Sequence, residues 1–259
     1  GRLADGSRVH VIVPPLAVDG PCLTIRRFGA LAVPLSDLAT PPVEHLLRWA
    51  VRSRANVLVV GATGSGKTTL LNALAAELPR SERVVTVEDA AELRLPSDHV
   101  IRLETRPASA EGTAAVSARE LVRNALRMRP DRLVIGEVRG GEALDLVQAM
   151  NTGHNGSLST LHANGCHDAL HRLETLVLLA GVGLPLHAVR AHLAAAVDLV
   201  VHVTRAAHGR RLVAAVGEPV APAMGDPASP AVRLLVDRGE IVAEPSRPAR
   251  DPSCPWPGW

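Results

Sequence analysis

Gly61-Ala62-Thr63-Gly64-Ser65-Gly66-Lys67-Thr68 matches the phosphate-binding pattern G-x-x-x-x-G-K-[ST], and no other stretch restricts the fold so tightly. Such a loop works between a buried strand and a helix start. Its glycines let backbone N–H groups converge on phosphate oxygens, and the helix dipole adds to them. Both flanks are legible here. Asn56 to Val60 is a short apolar run suited to a buried strand, and Thr68 to Leu78 places Leu70, Leu71, Leu74 and Leu78 on one helical side. In this reading residues Gly61 through Thr69 hold a nucleotide. Lys67 reaches the β- and γ-phosphates, and Thr68 is a ligand of Mg²⁺.

Composition narrows the choice of P-loop chemistry. Of the 28 basic residues Lys67 is the only lysine, a bias that, with no Tyr and one Phe, resembles high-GC coding. No lysine is left for the N-K-x-D motif of a GTPase, and no L-S-G-G-Q-like signature of an ABC ATPase is present. A net charge of +2 and 2% aromatic residues offer neither a basic groove nor stacking platforms, so direct nucleic-acid binding is not expected. Cys22, Cys166 and Cys254 have no metal or redox spacing, no signal peptide leads the chain, and a reduced, cytoplasmic setting is expected. Thr175 to Leu186, the longest uncharged apolar stretch, is too short to cross a bilayer.

Strand and helix patterns alternate from residue 43 onward, which predicts an α/β domain with a mainly parallel central sheet. Strands are expected at Val84 to Val87, Leu133 to Ile135 and from Leu199. Helices are expected at Val43 to Arg54, Ser117 to Arg129, Glu142 to Asn151, Asp168 to Ala180 and Pro185 to Ala196. Ser117 with Glu120 forms a capping box, and Pro130 ends that helix. Residues 1–32, with turn signals at Asp5-Gly6 and Asp19-Gly20, read as the β-rich end of a partial N-terminal domain, and 33–42 as a linker. The ATPase domain is expected over 43–216. The Pro-punctuated remainder, 217–259, is expected to be a largely disordered tail, apart from a hairpin turning at Arg238-Gly239. The chain opens without Met and inside a hairpin pattern, so it reads as a fragment.

Three polar clusters accompany the loop. Glu137 follows the strand Leu133 to Ile135 at the Walker-B position, with Gly136 where many P-loop proteins carry Asp; there it would orient or deprotonate the attacking water. Glu88, Asp89 and Glu92 lie past another strand end, and Glu88 is the one singled out to help hold Mg²⁺. His154 and His162 bracket a run of small polar residues fitted to γ-phosphate sensing rather than to zinc. Arg119, Arg123 and Arg127 share one helical stripe, read either as a solvated basic face or as a surface meeting an acidic neighbour.

These clusters, in this order, resemble the type II/type IV secretion ATPase superfamily. The runs Leu126 to Ala143 and Ala149 to Asn164 are most similar to its Flp/Tad pilus-assembly branch. The resemblance implies a RecA-like P-loop NTPase fold and a homo-hexameric ATPase that drives secretion or pilus assembly. ATP and Mg²⁺ would be its cofactors, and inner-membrane platform proteins its partners at the inner face of the cell membrane. It also implies roles residue by residue. Glu88 falls in the Asp box, Glu137 in an atypical Walker B, and His154 with His162 in the His box. Arg26 or Arg27 corresponds to the arginines that the N-terminal domain gives to the nucleotide, and Arg102, Arg106 and Arg139 to further active-site arginines. A nucleotide-gated scaffold with weak hydrolysis is the alternative of a different class.

Overall fold

The computed structural model describes all residues except 2, 28–32, 109–111, 182, 207–208, 221–230 and 259. It divides into two units, Gly1–Ala32 and Val33–Trp259. In the first, β1 (Arg8–Ile12) and β2 (Cys22–Arg26) pair antiparallel from Arg8↔Arg26 to Ile12↔Cys22, as the turn signals predict.

The second unit is built on a nine-stranded sheet of order β11-β10-β9-β8-β3-β7-β6-β4-β5. The strands β3 (Val57–Gly61), β4 (Val84–Glu88), β5 (Val100–Glu104), β6 (Arg132–Val138), β7 (Leu158–His162) and β8 (Leu199–Arg205) are parallel. Every residue of β3 is buried because helices cover both faces. Period-two alternation divides that strand between two cores. Val57 and Val59 join one with α1 (Pro41–Arg52) and α2 (Lys67–Ala75). Leu58 and Val60 join the other, with α3 (Ala118–Leu126), α4 (Glu142–Asn151), α5 (Cys166–Leu179) and α6 (Leu186–Ala196). Parallel strands put their C-terminal ends on one edge, so Gly61, Glu88, Val138, His162 and Arg205 all emerge there.

The capping box of α3 forms in full: Ser117 Oγ accepts from the Glu120 N–H, and Glu120 Oε2 accepts from the Ser117 N–H at 2.8 Å. Three strands were not predicted: β5, β7 and β9 (Arg211–Val220). β5 has a half-exposed, mixed pattern at the sheet edge, and β7 sets Ser159 and Thr160 between Leu158 and Leu161, a mixture that reads as a polar motif although all four are buried.

Two expected boundaries are corrected. Residues 33–42 are not a free linker, because Leu35 and Leu38 are buried in the first core and α1 begins at Pro41. The expected disordered tail is ordered where described, and its first part joins the sheet. β9 (Arg211–Val220) pairs antiparallel with β8, and β10 (Ala231–Asp237) with β9. β10 then turns to β11 (Glu240–Ile241) through Arg238 and Gly239, both at positive φ, at the expected hairpin.

The last residues form a strap rather than a strand. Asp198 accepts from Arg250 Nε at 2.5 Å and Arg247 Nη1 at 3.4 Å. The same two guanidiniums donate to the carbonyls of Ala194, Ala195, Ala196 and Val197, which α6 leaves open at its C-terminus. Trp256 packs edge-on against Trp49, with centroids 5.0 Å apart. Prolines supply no amide donors, so side chains hold this segment in place of a ladder.

Candidate functional site

The loop after β3 is shaped by close approaches. A Cβ on Gly61 would stand 2.4 Å from both Ser65 Oγ and the Val203 carbonyl, so only glycine fits. Gly64 and Gly66 have φ of 74° and 106°, which the turn into α2 requires. Lys67 folds back along the loop and donates to the carbonyls of Gly61 at 3.0 Å and Ala62 at 3.1 Å. Burial holds its ammonium below the ordinary lysine range; the charge of Glu137 opposes that shift and Arg139 adds to it. Lys67 and Glu137 therefore act on each other across the loop. Ala62, Thr63 and Gly64 are exposed, while Thr68 and Thr69 are half-buried in the first turn of α2.

Glu88 ends β4 and is 4% exposed. Its Oε1 accepts from the N–H groups of Glu92 at 2.8 Å and Leu93 at 2.9 Å, which fixes the carboxylate in place. Its Oε2 is buried with no partner among the described residues. Burial raises its pKa, against the two backbone hydrogen bonds and the charge of Arg102. The side chain lies over β6: a Cβ on Gly136 would stand 2.9 Å from Glu88 Cγ. The glycine at the Walker-B position thus makes room for a carboxylate from the neighbouring strand. Thr160 of β7 donates to the Gly136 carbonyl at 2.6 Å and fixes the backbone there, where the pairing of β6 with β7 shifts register.

Glu137 and Asp89 are joined by Arg139, whose Nη2 lies 2.5 Å from Glu137 Oε2 and Nη1 2.9 Å from Asp89 Oδ2. The hydrogen bond to Glu137 is the main cause that raises the Arg139 pKa. Glu142, buried at the start of α4, accepts from the N–H groups of Arg139 at 2.6 Å and Gly140 at 2.8 Å and so shapes the turn that presents them. Arg102 on β5 donates to the Ala91 carbonyl at 2.7 Å, which keeps it beside the Glu88 loop.

Not every expected residue gathers here. Arg106 instead braces its own loop, donating to the Ala114 carbonyl at 3.2 Å and pairing backbone with Val116. His162 lies at the site edge, opposite Gly61 in register. His154 does not. It precedes β7, so the length of the strand, roughly 16 Å, separates it from His162. Its Nδ1 is buried with no partner among the described residues, and its carbonyl accepts from Ser157 Oγ at the far edge of the sheet. Arg26 and Arg27 belong to the first unit, where Arg26 ends β2 opposite Arg8. Arg119 and Arg123 are committed within the chain: both Nε atoms donate to Asp145 of α4, at 2.7 and 2.8 Å. Sequence reasoning missed Thr160, Glu142 and Arg211. The last donates to Thr69 Oγ1 at 3.2 Å from a strand that was not predicted.

The family model described as "Type II/IV secretion system protein" matches residues 1–231. The chain belongs to that family. Among members of this secretion family, the type IV secretion system protein PtlH of Bordetella pertussis is 41% identical over 236 residues, covering 79% of this chain and 69% of PtlH. The conjugal transfer protein TrbB of Rhizobium radiobacter is 39% identical over 215 residues, covering 80% and 63%. A Mycobacterium tuberculosis relative with a conjugal-transfer name is 44% identical over 214 residues, and the chain spans 60% of its length. The structure of the VirB11 ATPase from the Brucella suis type IV secretion system, solved with sulphate, aligns with a TM-score of 0.61 and 33% identity, over 83% of this chain and 71% of VirB11. The pilus retraction motor PilT, solved with ADP, has a TM-score of 0.60 at 23% identity and bears out the RecA-like fold.

Proposed function

We propose that this secretion-family chain hydrolyses ATP as one subunit of a homo-hexameric motor for secretion or pilus assembly. One observation carries the reading: the buried Glu88 carboxylate and Glu137 flank Gly136 at adjacent strand ends, beside the Lys67 loop. Lys67 and the amides of Gly61 to Thr69 bind the phosphates, and Glu137 orients the attacking water and takes its proton. Arg139 holds Glu137 in position, and Arg102 steadies the Glu88 loop. Glu88 Oε2, with no partner among the described residues, and the Thr68 hydroxyl suit a magnesium ion held mainly by water and phosphate oxygens. Such an ion supplies charge neutralisation at the β- and γ-phosphates. His162 is the residue of the His box placed to sense the γ-phosphate.

The likeness of the motif runs to the Flp/Tad branch supports pilus assembly as the system served, while PtlH and TrbB by name belong to type IV secretion and conjugal transfer. Among the described residues no helix is long and apolar enough to cross a membrane. We place the motor at the inner face of the cell membrane, docked on platform proteins.

Phosphate release by the purified chain tests the proposal, with native mass spectrometry of the assembly alongside. Magnesium-dependent turnover that disappears in Lys67→Ala and in Glu137→Gln, with ADP binding kept in the second, is the expected result. Equal turnover in Glu137→Gln and the parent would sink it in favour of a nucleotide-gated scaffold.

A further inference from the structure

The hairpin that joins β8 to β9 carries Arg205 on its outgoing strand and Arg211 on its returning one, and the two are partners in register. Because β8 runs parallel to β3, its end at Arg205 and the start of β9 at Arg211 lie on the same edge as the phosphate loop. Arg211 then reaches over that loop. Its Cδ lies 2.5 Å from where a Cβ on Gly66 would stand, and its Nη1 donates to Thr69 Oγ1.

That position is unfavourable for a cation. Gly66 is the N-cap of α2 and Thr69 lies in its first turn, where open N–H groups and the helix dipole create positive potential. Lys67 already adds a charge in the same turn. Among the described residues Arg211 has a neutral hydroxyl as its side-chain partner and no carboxylate. Ser65, in the same loop and 4% exposed, has a hydroxyl with no partner among the described residues. A bound anion offsets the positive charge that Arg211, Lys67 and the open N–H groups of α2 bring together.

We propose that Arg211 is a nucleotide-binding residue acting within its own chain, its guanidinium contacting the α- and β-phosphates. This rests on the reading of the loop as an ATP site. Lys67 is turned toward Gly61 and Ala62, so the two cations approach the nucleotide from different flanks of the loop. A guanidinium has five N–H donors in a fixed fork, and it can keep Thr69 while giving others to phosphate oxygens. Since ADP and ATP share those phosphates, Arg211 contributes equally to the affinity for both. Chemistry at the γ-phosphate stays with Lys67 and Glu137.

Equilibrium titration of the full chain with fluorescent ADP and with a non-hydrolysable ATP analogue tests this. Arg211→Ala is expected to weaken both ligands by the same factor, about tenfold or more, the scale of a charge-assisted hydrogen bond. At saturating ATP its kcat should fall less than roughly threefold, the pattern of lost uniform binding. Arg211→Lys should recover part of the affinity, and Arg210→Ala, which removes the same charge one residue away, should bind like the parent. Unchanged affinity in Arg211→Ala, or a loss confined to the ATP analogue, overturns the assignment. If Arg211→Ala melts early, Arg211→Gln is titrated in its place and judged the same way. Failure of the parent chain to bind either nucleotide, with Lys67→Ala no different, overturns the ATP-site reading instead.

Discussion

Glu88 fills the space above Gly136: its Cγ lies 2.9 Å from where a Cβ on that glycine would stand. The two residues are on neighbouring strands, and the missing side chain on β6 is the condition for the carboxylate from β4. Gly136→Ala is therefore expected to push Glu88 off the Glu92 and Leu93 amides. Overpacking of this kind costs about 1–3 kcal/mol, and phosphate release should fall at least about tenfold as Glu88 moves. Thermal melts and turnover measured on the same preparation check both effects.

Arg139 ties Glu137 to Asp89 across the mouth of the site. Glu137→Gln should lower kcat by about 10²–10³-fold with ADP affinity kept, the loss typical of a general base. Arg139→Ala leaves that base in place but unheld, and a smaller drop of about tenfold is expected. Steady-state kinetics set against a binding titration separates the two.

The buried Glu88 carboxyl also gives stability a pH dependence. Burial raises its pKa above the ordinary 4.5, so in the window from about that value upward the folded chain holds a proton that the unfolded chain has released. Stability from this group is then highest at low pH and falls as pH rises through the window. Glu88→Gln, which cannot titrate, should flatten that slope. Melting temperatures of both chains across the window show whether the parent loses ground to the variant as pH increases.

The loop, the Glu137 strand and the capping box were legible because each is written in local pattern: spaced glycines, a short apolar run, Ser117 three residues before Glu120. β7 was not, since Ser157, Ser159 and Thr160 are buried by neighbours distant in sequence. The motif run that joins His154 to His162 conceals a complete strand, and a strand sends its two ends to opposite edges of a sheet. Arg211 was illegible for a related reason, because its role depends on an antiparallel pairing that no residue near it announces. The ordering of the Pro-rich end rests on arginines docking onto helix carbonyls, which composition cannot reveal.

Asp198 is the anchor of that end, nearly buried and shared between Arg247 and Arg250; it also accepts from the Asn56 N–H at 2.8 Å, just before β3. Asp198→Ala leaves two guanidiniums without their charge partner. A loss of about 3 kcal/mol is expected, the scale for breaking a buried ion pair. For a unit of this size that lowers Tm by roughly 6–12 °C, readable by calorimetry.

The solitude of Lys67 has a practical consequence. Apart from the chain's first residue, it carries the only primary amine in 259 residues, and burial holds that amine below the ordinary lysine range. An acylating reagent therefore has one side-chain address, enclosed by the carbonyls of Gly61 and Ala62. A single mass increment on the peptide around Lys67, and its suppression by added nucleotide, would report occupancy of one pocket in an unmodified chain.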